Sequence, residues 1–216
     1  MFDVDIAVLI IKITVLLFSI TIHEYAHGKM AFNCGDPTAY SLGRLTLNPL
    51  PHIDPFGAIC LFLFNFGWAK PVPINTRYFK NIRTDIIKTS LAGPISNLIL
   101  ALIAGIIIRF ISIHTESIVI FLKTEPMGIF LRYMLLMNIG LGLFNLLPIP
   151  PLDGSHVLAN ILPFKLSLGY YKFKQYGPII LIGIILLDNI AHTGIIRAIL
   201  LQPMRFLASL FSGLNF

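Results

Sequence analysis

The chain is 216 residues long, 56% hydrophobic and 12% charged, with a formal net charge of +6 and a mean hydropathy of +0.83. These values exclude an ordinary soluble domain and indicate an integral membrane protein. The positive surplus fits Lys and Arg in cytoplasmic loops, and no basic run with interleaved aromatics suggests nucleic-acid binding.

The first expected span runs from about Val4 to Met30. Met1 to Asp5 contain no basic residue, so this segment reads as a retained helix and not as a cleaved signal. Its apolar stretch Ile6 to Ile22 leads into His23-Glu24-Tyr25-Ala26-His27. Helical spacing puts His23 and His27 one turn apart on one face, where both can hold a single Zn²⁺, with Glu24 beside them as a base for activating water. Charge inside a membrane-length segment is costly, so three polar groups in this spacing point to function rather than to hydrogen-bonding glue between helices. Lys12 and Ser19 share the histidine stripe and give the helix a wet face; Lys12 itself reads as snorkelling to the near interface.

From Ala31 to Pro55 turn formers take over. The alternation of Leu45 and Leu47, ended by Asn48-Pro49, predicts a short strand or hairpin outside the hydrocarbon. His52 and Asp54 are weaker metal candidates, since loop polar groups near a membrane are more often solvated or hydrogen-bonded. Cys34 and Cys60 form no C-x-x-C pair and read as ordinary thiols on the reducing side. Phe56 to Trp68 is apolar but falls short of the roughly twenty residues needed to span, and is expected to re-enter. The prolines of Ala69 to Arg83 forbid a helix and fit an extended edge segment. Together with Lys88 this is the densest basic loop, hence cytoplasmic.

A second full span is expected over about Thr89 to Phe110. Its Ala92, Gly93 and Ser96 permit close helix approach, and Asn97 can hydrogen-bond across a helix interface or to a bound peptide backbone. The connector Ser112 to Pro126 suits the outer side, and His114 there is assigned no role. A third span, Met127 to Leu147, ends in Asn145-Leu146-Leu147-Pro148-Ile149-Pro150-Pro151-Leu152-Asp153-Gly154-Ser155-His156. These prolines break the helix at membrane depth, which is tolerated only where protein or water satisfies the freed backbone, and so mark a site. A two-histidine zinc site needs one further protein ligand if a fourth position is to stay open for water; Asp153 is preferred and His156 is its rival. Lys165, Lys172 and Lys174 read as cytoplasmic, Tyr176 to Leu187 begins a short fourth span, and Ile195 to Leu214 is either an interfacial amphipathic helix or a final span.

With these motifs in hand, the chain resembles the site-2 protease family of intramembrane zinc metalloproteases, in its compact bacterial form without a PDZ domain. The resemblance is carried by His23 to His27, Gly67-Trp68-Ala69-Lys70-Pro71-Val72-Pro73, Ala92 to Asn97, and Asn145 through Pro148 to Asp153-Gly154, in the family's order. It implies that His23, His27 and Asp153 hold zinc, that Glu24 is the general base, and that Asn145 helps to hold the scissile carbonyl or its oxyanion. It also implies that the first three spans form the catalytic core, and it carries nothing functional beyond about residue 165. The expected protein is all-α and polytopic, with about four to six transmembrane helices, a short β-hairpin or extended segment, and a re-entrant element between the first two core helices. It forms one integral membrane domain over residues 1–216, with a catalytic core over about 4–162 and C-terminal helices over about 163–216. The expected partners are the lipid bilayer and a transmembrane protein or peptide, with no nucleic acid. Cleavage is expected near the cytoplasmic face of the bacterial cytoplasmic (inner) membrane, and the stretches near residues 40–48 and 70–76 are candidates to pair with a locally unwound substrate.

Three other functions fit less well. A membrane zinc transporter, or another metal-binding membrane protein, would need several binding stations and usually symmetry between repeats, whereas His and Glu concentrate here at one station. A scaffold that merely keeps the motif is disfavoured by the intact Glu24. A di-iron oxidase needs more histidine clusters than six scattered His permit.

Overall fold

Side-chain size is sorted inside out along the long helices. In the computed structural model, residues 5–64, 67–115, 117–191 and 193–215 are described. The expected span start at Val4, Asn65 and Phe66 of the short apolar run, and Glu116 of the connector lie outside them. The described chain forms α1 (Ile6–Asn33), α2 (Thr38–Ser41), α3 (Pro55–Phe64), α4 (Ile82–His114), α5 (Ile118–Thr124), α6 (Pro126–Asn145), α7 (Asp153–Ile161), α8 (Phe164–Lys174), α9 (Gly177–Ala191) and α10 (Ile195–Ser212). Helices α1, α4 and α6 are long and apolar enough to cross a membrane. On α4, Ile95, Ile99, Ile103, Ile106 and Phe110 are exposed, while Gly93, Asn97, Ala101, Ala104 and Gly105 are buried. Large residues outside and small ones inside invert the pattern of a soluble helix; the outer face suits lipid and the inner face suits close helix contact.

Local chemistry sets the helix ends. The Asp5 carboxylate accepts from Ala7 and Val8 N–H at the start of α1, and Asn81 accepts from Thr84 N–H at the start of α4. Pro126 opens α6 in the first turn, where its missing N–H costs nothing. The three helices pack about a core that includes Val15, Ala101, Ala104, Ile108, Leu135 and Ile139. Helix α10 joins it through Met204, Leu207, Ala208 and Phe211, while its Ile199, Phe206 and Leu210 stay exposed.

The strand expected at Leu45 and Leu47 does not form. Among the described residues the backbone pairs in β fashion only at an isolated antiparallel bridge between Ile53 and Ala69. Asp36 is the reason: its carboxylate accepts from both the N–H and the hydroxyl of Thr38, starting the helical turn α2. Arg44 and Leu45 N–H then both return to Ala39 O, closing a compact loop in place of a ladder. Beside the bridge, Lys70 N–H donates to His52 O at 2.9 Å, so the two ends of the stretch containing α3 lie together. Within that stretch a Cβ on Gly57 would lie 2.1 Å from Trp68 O, and one on Gly67 would lie 2.3 Å from Gly57 O. Only glycine permits such backbone contact between the outgoing and returning limbs.

Candidate active site

Buried Val15, Ser19, His23 and His27 succeed one another every four residues on the inner face of α1. Each imidazole is held through Nδ1: His23 Nδ1 lies 2.6 Å from Asn97 Oδ1, and His27 Nδ1 lies 2.7 Å from Thr89 O. The Asn97 amide is oriented by its own N–H bonds to Ser19 O at 3.2 Å and Asn138 Oδ1 at 2.9 Å. Both oxygens facing the histidines are therefore acceptors, so each Nδ1 carries the proton and each Nε2 presents a bare lone pair.

These lone pairs converge. The two Nε2 atoms are 3.0 Å apart, and Asp153 Oδ2 lies 3.2 Å from that of His23 and 3.3 Å from that of His27. Oδ2 is buried and, among the described residues, has no hydrogen-bond partner of its own. Three acceptors facing one another repel unless a cation lies among them. A tetrahedral ion with bonds of about 2.0 Å sets its donor atoms about 3.3 Å apart, so the triangle can hold a metal.

Two glycines make room. A Cβ on Gly93 would stand 2.3 Å from His27 Nε2 and 2.6 Å from His23 Nε2, inside the triangle's own space. One on Gly154 would stand 2.1 Å from Leu146 O, so the turn that delivers Asp153 lies directly on the end of α6. Arg83 ties the far end of α7 to α4 by donating to Asn160 O and Ile161 O.

Glu24 stands outside the triangle. Its Oε2 accepts from Val72 N–H at 2.8 Å, and among the described residues Oε1 has no hydrogen-bond partner. A cleft of about 600 Å³ is lined by Glu24, the three converging residues, Asn145 and His156. Asn145 donates one amide hydrogen to Leu141 O at 3.0 Å, leaving the other for the cleft.

The remaining candidates go elsewhere. His52 bonds Thr46 O through Nε2 at 3.0 Å, and Asp54 caps α3 by accepting from Gly57 N–H; neither joins the triangle. His156 is also outside it, its Nδ1 lying 3.2 Å from Lys174 Nζ. The extended segment at 70–75 has most of its backbone already engaged. Asn75 N–H donates to Asp36, Lys70 O and Pro71 O accept from Arg44, and Pro71 and Pro73 have no N–H. Among the described residues nothing pairs with the N–H of Ile74, and the stretch at 40–48 is turned rather than extended.

Sequence reasoning missed Thr89, Asn138 and Lys174. Thr89 acts through its carbonyl, which no side-chain pattern reveals. Asn138 had a readable signal: an amide alone in an apolar span needs a partner, and it is fully buried against Asn97.

A converging donor triangle with a separate carboxylate beside it, sunk among helices whose outer faces suit lipid, is the arrangement of an intramembrane metallopeptidase. Peptidase family M50 matches residues 11–187. The chain belongs to that family, the site-2 protease family of zinc metalloproteases. It is 40% identical over 165 residues to "Putative zinc metalloprotease YwhC" of Bacillus subtilis (strain 168), covering 76% of this chain and 75% of that protein. Rip2 of Mycolicibacterium smegmatis, under the same designation, is 30% identical over 188 residues, covering 84% and 68%. Rip2 of Mycobacterium tuberculosis (strain H37Rv) is 31% identical over 178 residues, covering 79% and 64%. No solved structure gives a significant match. The protein is thus an intramembrane zinc metalloprotease acting on membrane-embedded substrates, and nothing in these comparisons favours a transporter.

Proposed function

We propose that His23, His27 and Asp153 hold the zinc ion, that Glu24 is the general base, and that Asn145 holds the scissile carbonyl of a transmembrane substrate. The observation that carries this reading is the triangle of bare donors, 3.0 to 3.3 Å on a side, with Glu24 excluded from it. Zinc bound there supplies Lewis acidity, which polarises a carbonyl and lowers the pKa of water to about 7. Val72 N–H steadies Glu24 through Oε2, so Oε1 is available to take a proton from the attacking water and return it to the leaving amine. The spare amide hydrogen of Asn145 faces developing negative charge, a role typically worth about 3 kcal/mol.

We read residues 1–216 as one membrane domain, with a core over about 4–162 to which the C-terminal helices are added. The stretch around α3 enters and leaves by one face, a reading supported by the pairing of Ile53 with Ala69. We read that face, and the zinc centre, as lying on the cytoplasmic side of a bacterial inner membrane, a reading supported by the basic loop from Lys70 to Lys88. The test is detergent-purified protein assayed for zinc content and for cleavage of a synthetic transmembrane peptide. One zinc per chain and cleavage that Glu24→Gln abolishes are expected; cleavage that survives in Glu24→Gln sinks the reading.

A further inference from the structure

Beside the donor triangle, α7 and α8 bring together two residues that the mechanism above leaves unused. His156 stands one turn after Asp153 on α7 and lines the cleft. Its Nδ1 lies 3.2 Å from the Lys174 ammonium at the end of α8, and Lys174 is not among the cleft-lining residues. An ammonium group has three donors and no acceptor, so Nδ1 must accept and the ring proton must sit on Nε2. The remaining ring nitrogen of this cleft-lining residue is thus a neutral N–H donor. Burial, and then the Lys174 charge, hold the imidazolium pKa below its ordinary value, in keeping with a neutral ring. This is the opposite tautomer to that of His23 and His27, whose Nε2 atoms are bare. The three histidines of the cleft are therefore divided by their partners, two as lone-pair donors to a cation and one as a proton donor to an anion.

We propose that His156 is a catalytic hydrogen-bond donor, its Nε2–H meeting the scissile carbonyl oxygen as it becomes an oxyanion, and that Lys174 is the positioning residue that fixes this tautomer. The proposal rests on the protease reading above. As water oxygen bonds to the carbonyl carbon, the carbonyl π pair moves onto oxygen and Glu24 takes the water proton. When the C–N bond breaks, that proton leaves with the amine. His156 keeps its own proton throughout and shares the oxyanion with Asn145, which lines the same cleft.

The test uses the full chain in detergent, with zinc content measured for every variant. His156→Ala should keep its zinc and its KM and lose about 10²- to 10³-fold in kcat, the usual cost of one oxyanion donor. His156→Gln, whose amide also donates, should recover to within about tenfold of the parent. Lys174→Met should lose about tenfold in kcat, and Lys174→Arg, which still donates to Nδ1, should not. A phosphinic peptide that mimics the tetrahedral oxyanion should lose affinity in His156→Ala by the same factor as kcat, while uncleaved peptide bound in a Glu24→Gln background should not. If His156→Ala fails to fold, the Gln variant and the two Lys174 variants decide. Parent-like kcat with full zinc, Gln no better than Ala, or loss of zinc in His156→Ala overturns the proposal. Cleavage that persists in Glu24→Gln is distinguishable from these, because it removes the protease reading itself.

Discussion

Glu24 and Asp153 are carboxylates of one cleft whose partners divide their work: a backbone N–H holds Glu24, and two bare nitrogens face Asp153. Glu24→Gln keeps both the Val72 contact and the donor triangle, so it should abolish cleavage while zinc content stays near the parent value. His23→Ala and His27→Ala should lose both, and Asp153→Ala should lower zinc occupancy where His156→Ala does not. Zinc loss in Glu24→Gln would show that it is a ligand. A sharper probe is Gly93→Ala, which changes no chemical group of the site. Its methyl would lie 2.3 Å from His27 Nε2, so zinc content should fall together with activity while the protein still folds; normal zinc in this variant would contradict the geometry described.

Between elements, polar groups do the positioning. Met134 O on α6 accepts from Asn138, Asn138 accepts from Asn97 on α4, and Asn97 accepts from His23 on α1. A chain of amides thus crosses three apolar helices to set one imidazole, and every member is satisfied, which is what makes such burial tolerable. Asn138→Ala touches no ligand, yet it strands an Asn97 N–H, at a cost of about 1–3 kcal/mol. It also frees the Asn97 amide to turn. Zinc affinity should fall by about 10- to 100-fold, the usual effect of losing an outer partner of a metal-binding histidine; competition with a chelator measures it. An unchanged affinity would mean that His23 is oriented by its own helix alone.

At the scale of the molecule, the site joins parts far apart in sequence: His23 and His27 from α1, the Thr89 and Asn97 supports from α4, and Asp153 from α7. A cation among three mutually repelling donors therefore acts as a tertiary cross-link. Zinc in hundredfold excess over its Kd adds about 2.7 kcal/mol to stability, so chelation should lower Tm measurably, and the loss should disappear in His27→Ala. Topology offers an independent check. In a protein without Cys34 and Cys60, cysteines placed at the exposed positions Ser41 and Thr76 should both react with an impermeant thiol reagent from the cytoplasmic side only. Labelling from opposite sides would show that the stretch containing α3 spans the bilayer.

The chain left Asp153 in competition with His156, and it is the fold that sets the Asp153 carboxylate beside both histidines; the positions of the long apolar helices and the His23-Glu24-x-x-His27 face were legible in the chain. They rest on short-range rules, namely helical periodicity, the length of hydrocarbon to be crossed and the type of atom a metal needs. What depended on contacts between distant segments was not legible. Leu45 and Leu47 alternate like a strand, but Asp36 claims the backbone of Thr38 and bends the chain first. Residues 70–75 are extended as their prolines require, yet Glu24 and Asp36 take the N–H groups of Val72 and Asn75, and Arg44 takes the carbonyls of Lys70 and Pro71. The tautomers of His23, His27 and His156 are likewise tertiary facts. The same side chain becomes a lone-pair donor or a proton donor according to whether a carbonyl or an ammonium faces Nδ1, and only the folded chain brings that partner to the ring.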